Sequence, residues 1–298
     1  MKVLLIMLTL IFNYAFSSYL VVGDKNNLTT ANDGEIILNA ISIDFSNLEV
    51  GSNNSYIDIP IYVKSDSNEE IKMKLSNILT LKQGEESITL NLSYRESTIE
   101  NNIPFILMNS GEGGRDGNTI VGSIRVTLPS LPSTQTYGNY ESKIDMELSS
   151  SNQTDSATNQ LSLFADVALV AVAGFDVVSS YTKGEKFLDT TIDYGTFNLN
   201  QKNSIEKNLF IKSNSNQSFK ISFDTTELIS QINSNYTIPL NYYFNAIPFT
   251  NNQYFTALNG KNEGETSIGV IKFETDLIDS SLLAGNYQGV IDVTVSLE

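Results

Sequence analysis

The sequence predicts an all-β chain folded as two antiparallel sandwiches in tandem. Three observations carry that prediction. Apolar residues recur at every second position in short runs. Clusters of Gly, Ser, Asn and Asp separate the runs. The second half of the chain repeats the first, in order, at an offset of 147 to 150 residues.

The runs follow one another along the chain. Ile37, Ile41, Ile43 and Phe45 alternate, then Ile57, Ile59, Ile61 and Val63. Ile71, Met73 and Leu75 follow, then Ile88, Leu90 and Leu92, then Ile120 to Leu128, then Tyr140 to Leu148. Side chains alternate across a strand, so a period of two marks a strand with one buried face. Turn-rich clusters at Gly51–Ser55, Lys64–Glu70 and Gly111–Asn118 punctuate them. Short strands at this spacing indicate a sandwich. Ser18 to Asn32 reads as a short, loosely held lead, and Ser149 to Asn159 as a linker or long loop.

The repeat rests on matched segments. Ile43-Asp44-Phe45 corresponds to Ile192-Asp193-Tyr194, and Val63–Asn68 to Ile211–Asn216. Gly122 and Ile124 correspond to Gly269 and Ile271. Gly138-Asn139-Tyr140 corresponds to Gly285-Asn286-Tyr287, each followed by an Ile-Asp. Matches in the same order indicate a duplicated domain. The expected domains are 18–150 and 151–298.

Between the copies lies the stretch that organises the chain, Gln160 to Ala173. Leu161, Leu163, Ala165, Val167, Leu169, Ala171 and Ala173 form one unbroken apolar face. Extended, the stretch spans about 46 Å at ~3.3 Å per residue, far longer than an ordinary strand. Such a strand serves two bodies, its first half in one and its second half in the next. The alternative is one long first strand, each domain being complete by itself.

Composition narrows the function. The chain has 298 residues and a formal charge of −16. An acidic surface disfavours nucleic acid, since phosphate binding needs basic patches. There is no Cys, His or Trp, which removes thiol chemistry, disulfides, His-based triads and the usual zinc sites. No catalytic constellation stands out, so neither an enzyme nor a cofactor or metal is expected. Met1-Lys2, the apolar run Val3–Phe12 and Ala15-Phe16-Ser17 read as a signal peptide over 1–17, so the chain is expected to be exported.

Ala284-Gly285-Asn286-Tyr287-Gln288-Gly289-Val290, followed by Ile291 to Leu297, resembles the C-terminal strand of pilins from colonisation-factor fimbriae, the alternate chaperone–usher class. Leu161 to Val178 resembles their N-terminal extension and first strand, and Ile205 to Phe223 their central hairpin. The resemblance covers most of 160–298 and, through the repeat, 36–148 more weakly. It implies two immunoglobulin-like, pilin-type sandwiches, each lacking a last strand that an alternating segment from elsewhere supplies. On that implication Leu161, Leu163, Ala165, Val167 and Leu169 are the donor residues for the first sandwich, and the second accepts a strand from outside. Gly285, Asn286, Tyr287 and Gly289 form the C-terminal strand motif.

The implied protein is a fimbrial subunit at or near the tip, working in cell adhesion. Its implied partners are other pilin subunits, a periplasmic chaperone, an outer-membrane usher and a host-cell glycan. It would pass through the periplasm to a cell-surface fimbrium. A structural shaft pilin without a receptor and a free secreted carbohydrate-binding sandwich are the alternatives.

All three arginines, Arg95, Arg115 and Arg125, fall in the first copy. Arg95 and Arg115 are the candidate receptor contacts, since a guanidinium matches a carboxylate in bidentate fashion. Gly111 to Asn118 lacks the Gly-Lys-Ser/Thr of a phosphate loop and reads as a flexible hairpin loop. Tyr242 and Phe244 read as core or cross-strand packing rather than a sugar platform.

Overall fold

A computed structural model describes residues 20–23, 36–51, 55–65, 70–77, 80–112, 118–151, 156–179, 183–225 and 227–298. Every regular element among them is a β-strand. The signal-peptide reading and Arg115 lie outside the described residues.

The chain divides into two compact units. The first holds residues 1–46, 53–130 and 139–165, and the second holds 47–52, 131–138 and 166–298. The sequence reading draws the boundary between 150 and 151. The packing draws it inside the mid-chain apolar stretch.

In the first copy the strands are β1 (Leu20–Gly23), β2 (Ile36–Leu38), β3 (Ile41–Leu48), β4 (Ser55–Ser65), β5 (Ile71–Ser76) and β6 (Thr80–Gln83). They continue with β7 (Glu86–Thr89), β8 (Asn91–Tyr94), β9 (Ser97–Thr98), β10 (Phe105–Met108), β11 (Thr119–Leu128), β12 (Gly138–Ser150) and β13 (Ser156–Val167). One sheet runs β2-β1-β4-β11-β8-β9, and the other β10-β5-β12-β13-β3, with β6 and β7 attached beside β12. The apolar face of each run points between the sheets: Ile61, Met73, Leu92, Ile124 and Leu148 are all at most 3 % exposed.

The second copy comprises β14 (Val170–Gly174), β15 (Gly184–Phe187), β16 (Ser204–Ser213), β17 (Ser218–Phe223), β18 (Glu227–Ser230) and β19 (Thr237–Phe244). It ends with β20 (Ile247–Phe249), β21 (Phe255–Asn259), β22 (Asn262–Thr275), β23 (Tyr287–Gln288) and β24 (Val293–Leu297). Its large sheet runs β15-β14-β16-β22-β19-β18-β23, with β20 on β19. Its small sheet runs β21-β17-β24. Aromatic rings fill this core, where Phe223 stacks on Tyr242 at 5.4 Å and meets Phe273 edge-on at 5.9 Å. Tyr242 is buried, and Phe244 packs against the same core.

The duplication extends to register. β1 pairs β2 in parallel and β4 antiparallel, and β14 pairs β15 in parallel and β16 antiparallel. Met73 lies opposite Leu148, and its counterpart Ile221 lies opposite Val295. Lys82 faces Glu141 as Ile229 faces Gln288. The lead expected over Ser18–Asn32 needs correcting at Leu20–Gly23, which form a paired strand with Val22 fully buried. Four residues suffice because both neighbours supply the ladder.

Candidate strand-docking sites

The mid-chain apolar stretch is two strands with a break at Ala168-Leu169. β13 lies between β12 and β3 in the first copy, and β14 opens the second. One side chain from far along the sequence causes the break. The Asn214 side chain donates from Nδ2 to the Ala168 carbonyl at 2.9 Å and accepts the Val170 N–H at 2.8 Å. Those two backbone groups are thereby taken out of any ladder. Asn214 is fully buried, so both bonds are shielded from water.

β13 is the middle strand between two others. The Asn159 amide donates to the Leu38 carbonyl at 2.8 Å. Further on, the Ala168 N–H donates to the Leu48 carbonyl at 2.8 Å. Both sequences advance together, so β13 runs parallel to the β2–β3 segment. Gln160 reaches across to Asp145 of β12, Nε2 to Oδ1, at 3.0 Å.

Its inward side chains are sealed: Leu161 and Leu163 are 0 % exposed, Ala165 3 % and Val167 1 %. The outward Phe164 and Asp166 are exposed. Burying Leu161, Leu163 and Val167 is worth roughly 1.5–3 kcal/mol each, as an upper estimate. Their sum is comparable to the whole stability of an ordinary domain, about 5–15 kcal/mol. Leu169 lies past the end of β13 and packs, half-buried, on the core of the second copy.

The second copy has the same frame without the corresponding strand. Among the described residues β24 has a sheet neighbour on one side only, β17. Backbone bonds link Ser218 with Glu298, at 2.7 and 3.1 Å, and Asp224 N–H with the Asp292 carbonyl, at 3.1 Å. Antiparallel strands alternate such pairs. Val293, Val295 and Leu297 therefore turn their N–H and C=O groups to the open side. The Leu297 N–H meets Glu185 Oε1 at 3.2 Å.

The inward side chains report the same difference at two of three positions. Ile144, Met146 and Leu148 of β12 are at most 1 % exposed, whereas their counterparts Ile291 and Val293 are half-buried and only Val295 is buried, at 8 %. The counterpart of β3, around Ile192–Tyr194, forms no strand. Among the described residues β3 pairs only with β13, so without such a neighbour its equivalent has no ladder to join. Ile192, Tyr194 and Phe197 still pack against the core. Tyr194 Oη is buried and has no hydrogen-bond partner among the described residues. Burial pushes its hydroxyl pKa well above the ordinary tyrosine value, and the nearby Tyr242 adds to the shift.

The C-terminal motif is placed residue by residue. Gly285 has φ +155° and sits 2.7 Å, measured to an added Cβ, from the Ile232 side chain. Tyr287 pairs with Ser230 and donates its hydroxyl to the Leu283 carbonyl at 2.8 Å. At Gly289 an added Cβ would approach the Glu227 carbonyl oxygen to 2.9 Å. Asn286 accepts at its carbonyl from Gln231 N–H at 2.8 Å. Where β12 is continuous, the chain between β23 and β24 lapses from strand geometry.

Arg95 lies at the β8–β9 turn with φ +47°, followed by Glu96 at +67°. Its guanidinium donates to Glu112 Oε2 at 2.7 Å and to the Val121 carbonyl at 2.6 Å. The Arg95 hydrogen bond, with two more from Asn109, holds the Glu112 carboxyl down to about 2. An anionic ligand at Arg95 would compete with Glu112. Arg125 makes a bidentate pair with Asp58 at 2.7 and 2.8 Å over the Tyr56 ring. The Arg95–Glu112 pairing gave no sequence signal beyond the abundance of acids.

The sequence matches no protein-family model and no curated protein. Solved structures with a similar fold include three fimbrial proteins. One is the complex of the CsuC chaperone and the CsuE tip adhesion subunit from archaic chaperone–usher Csu pili of Acinetobacter baumannii. It is 14 % identical, covers 87 % of this chain and 98 % of that one, and gives a TM-score of 0.47. Another is the CooA pilin subunit of enterotoxigenic Escherichia coli, at 15 % identity over 50 % and 97 %, TM-score 0.34. A third is CfaE, the adhesive subunit of CFA/I fimbria of enterotoxigenic Escherichia coli, at 10 % identity over 86 % and 92 %, TM-score 0.28.

Proposed function

We propose that this chain is an exported fimbrial subunit at or near a fibre tip, used for attachment. The first sandwich completes itself with β13, and the second takes an alternating strand from a neighbouring subunit. A chaperone and an usher are the partners that such an assembly requires, since an open sheet edge aggregates unless covered. One contrast carries the reading: β12 is flanked by β13, while β24 is unpaired on that same side. Main-chain bonds at such an edge give affinity, and pockets for alternate side chains give specificity. Leu20–Gly23 are committed to β1, so they are not on offer to a neighbour, which favours a subunit that accepts.

The test is thermal unfolding of the full chain with and without a peptide copying Leu161 to Leu169. The expected result is an early transition belonging to the second sandwich, raised by about 5–10 °C by the peptide, the shift that ~1–2 kcal/mol produces in a domain this size. A scrambled peptide should do nothing. A monomeric chain with one sharp transition, indifferent to every alternating peptide, would reject the reading.

A further inference from the structure

The open edge of β24 is not bare along its whole length. At its far end the Leu297 N–H, which points away from β17, donates to Glu185 Oε1 at 3.2 Å. Glu185 belongs to β15, the edge strand of the large sheet, and it is exposed. A carboxylate from the other sheet of the same copy thus occupies a backbone donor that an incoming strand needs. Among the described residues Glu185 has no lysine or arginine partner. Glu298, next to Leu297, does have one, Lys220 of β17.

The first copy shows the same end with its strand in place. Leu20 joins Ile36 to Ser65 as Ala171 joins Glu185 to Ser213, so Ile36 stands where Glu185 does. Leu148 matches Val295, which puts Ser150 at the place of Leu297. The Asn159–Leu38 bond sets Ile36 level with the start of β13, at Ser156 and Ala157. An apolar Ile36 asks no charge of that strand. None is offered: from Ser149 to Thr182 the sequence has no lysine or arginine.

We infer that Glu185 reads the leading end of the strand that docks on β24. The strand it fits runs antiparallel to β24, as β13 runs beside β12, and begins with a lysine or arginine. Docking takes the Leu297 N–H away from Glu185. A cation at the level of Ser156 gives the released carboxylate a new, charge-assisted partner. A strand beginning with an acid meets a like charge there instead.

The same contact tells the two halves of a duplicated chain apart. β13 has no cation to offer, so the β13 of another copy of this chain is a poorer guest than a strand that has one. Specificity of this kind is a difference between two affinities, set by one favourable pair and one that is missing. The inference rests on the strand-accepting reading of the second copy, and adds the chemistry of the strand accepted.

The test is a calorimetric titration of the full chain with peptides copying Ser156 to Leu169. One is the parent, one carries Ser156→Lys, one Ala168→Lys at the same net charge, and one Ser156→Glu. The leading-lysine peptide should bind about threefold to fivefold tighter than the parent. The trailing-lysine peptide should match the parent, and the leading-glutamate peptide should bind more weakly. The preference should vanish in about 1 M salt, where the screening length is ~3 Å. It should also vanish in Glu185→Gln, whose amide oxygen can still accept the Leu297 N–H, with circular dichroism showing the fold intact. Equal binding of the two lysine peptides, or a preference that survives Glu185→Gln, would overturn the inference and leave strand docking standing. So would a Glu185→Gln chain that binds every peptide more tightly by the same factor, since Glu185 would then be a plain guard of the edge. If no peptide binds, the strand-accepting reading falls and this inference falls with it.

Discussion

Ile144 and Ile291 occupy the same place in the two copies, yet Ile144 is fully buried and Ile291 is half-buried. Nothing in the two side chains differs. The difference is the neighbouring strand, present beside Ile144 as β13 and, among the described residues, missing beside Ile291. The open side should therefore exchange its amide protons quickly. In hydrogen exchange of the full chain, Val293 and Val295 should exchange far faster than Met146 and Leu148. Equal protection would mean that β24 is covered.

β13 should carry much of the stability of the first copy. Leu163→Ala removes a fully buried side chain and should cost about 2–5 kcal/mol in chemical denaturation. Phe164→Ala, next door on the exposed face, should stay within about 0.5 kcal/mol. Similar costs at both positions would contradict the inward and outward assignment.

How much of this was legible in the sequence depends on the range of the forces. The alternation of Leu161, Leu163, Ala165 and Val167 is local, so the apolar face could be read directly. The break at Ala168-Leu169 could not, because Leu169 continues the alternation and the cause of the break, Asn214, lies far along the chain. β1 was missed because Leu20 to Val22 is short and polar residues follow it. The Gly122–Gly269 match was visible, but its reason was not. Each glycine lies under an aromatic ring from a strand well apart in sequence, Tyr94 and Phe244 respectively. The Arg95–Glu96 turn was also hidden, since paired positive φ angles ordinarily call for Asn or Gly.

Gly122 leaves no room for a side chain. An added Cβ would collide with Tyr94 Oη and lie 2.5 Å from two ring carbons. The hydroxyl is fixed by donating to Val121 O at 2.9 Å, and it also contacts the Leu107 carbonyl. Gly122→Ala should destabilise by about 1–3 kcal/mol. Adding Tyr94→Phe should not restore stability, since the ring still collides. Full recovery in that double variant would show that the hydroxyl alone sets the constraint.

Asn214→Ala should cost about 2–4 kcal/mol, because it strands the Ala168 carbonyl and the Val170 N–H in a buried place. Asn214→Leu should be no better, since volume is not what is lost. Thermal denaturation that finds either variant unchanged would separate the break at Ala168-Leu169 from Asn214.

Acid should release the Arg95–Glu112 contact. The Glu112 carboxyl is lowered from 4.5 to about 2 in the folded chain by its bonds to Arg95 and Asn109. A depressed carboxyl stabilises the fold above its unfolded pKa and loses that contribution as pH falls through the folded one. The pair is largely exposed, so the contribution should be small, at most about 1 kcal/mol, and should shrink with salt. Glu112→Gln should therefore be slightly less stable than the parent at neutral pH. The two should converge between pH 4.5 and 2. Denaturation curves that differ equally at neutral pH and near pH 2 would show that the loss comes from packing rather than charge.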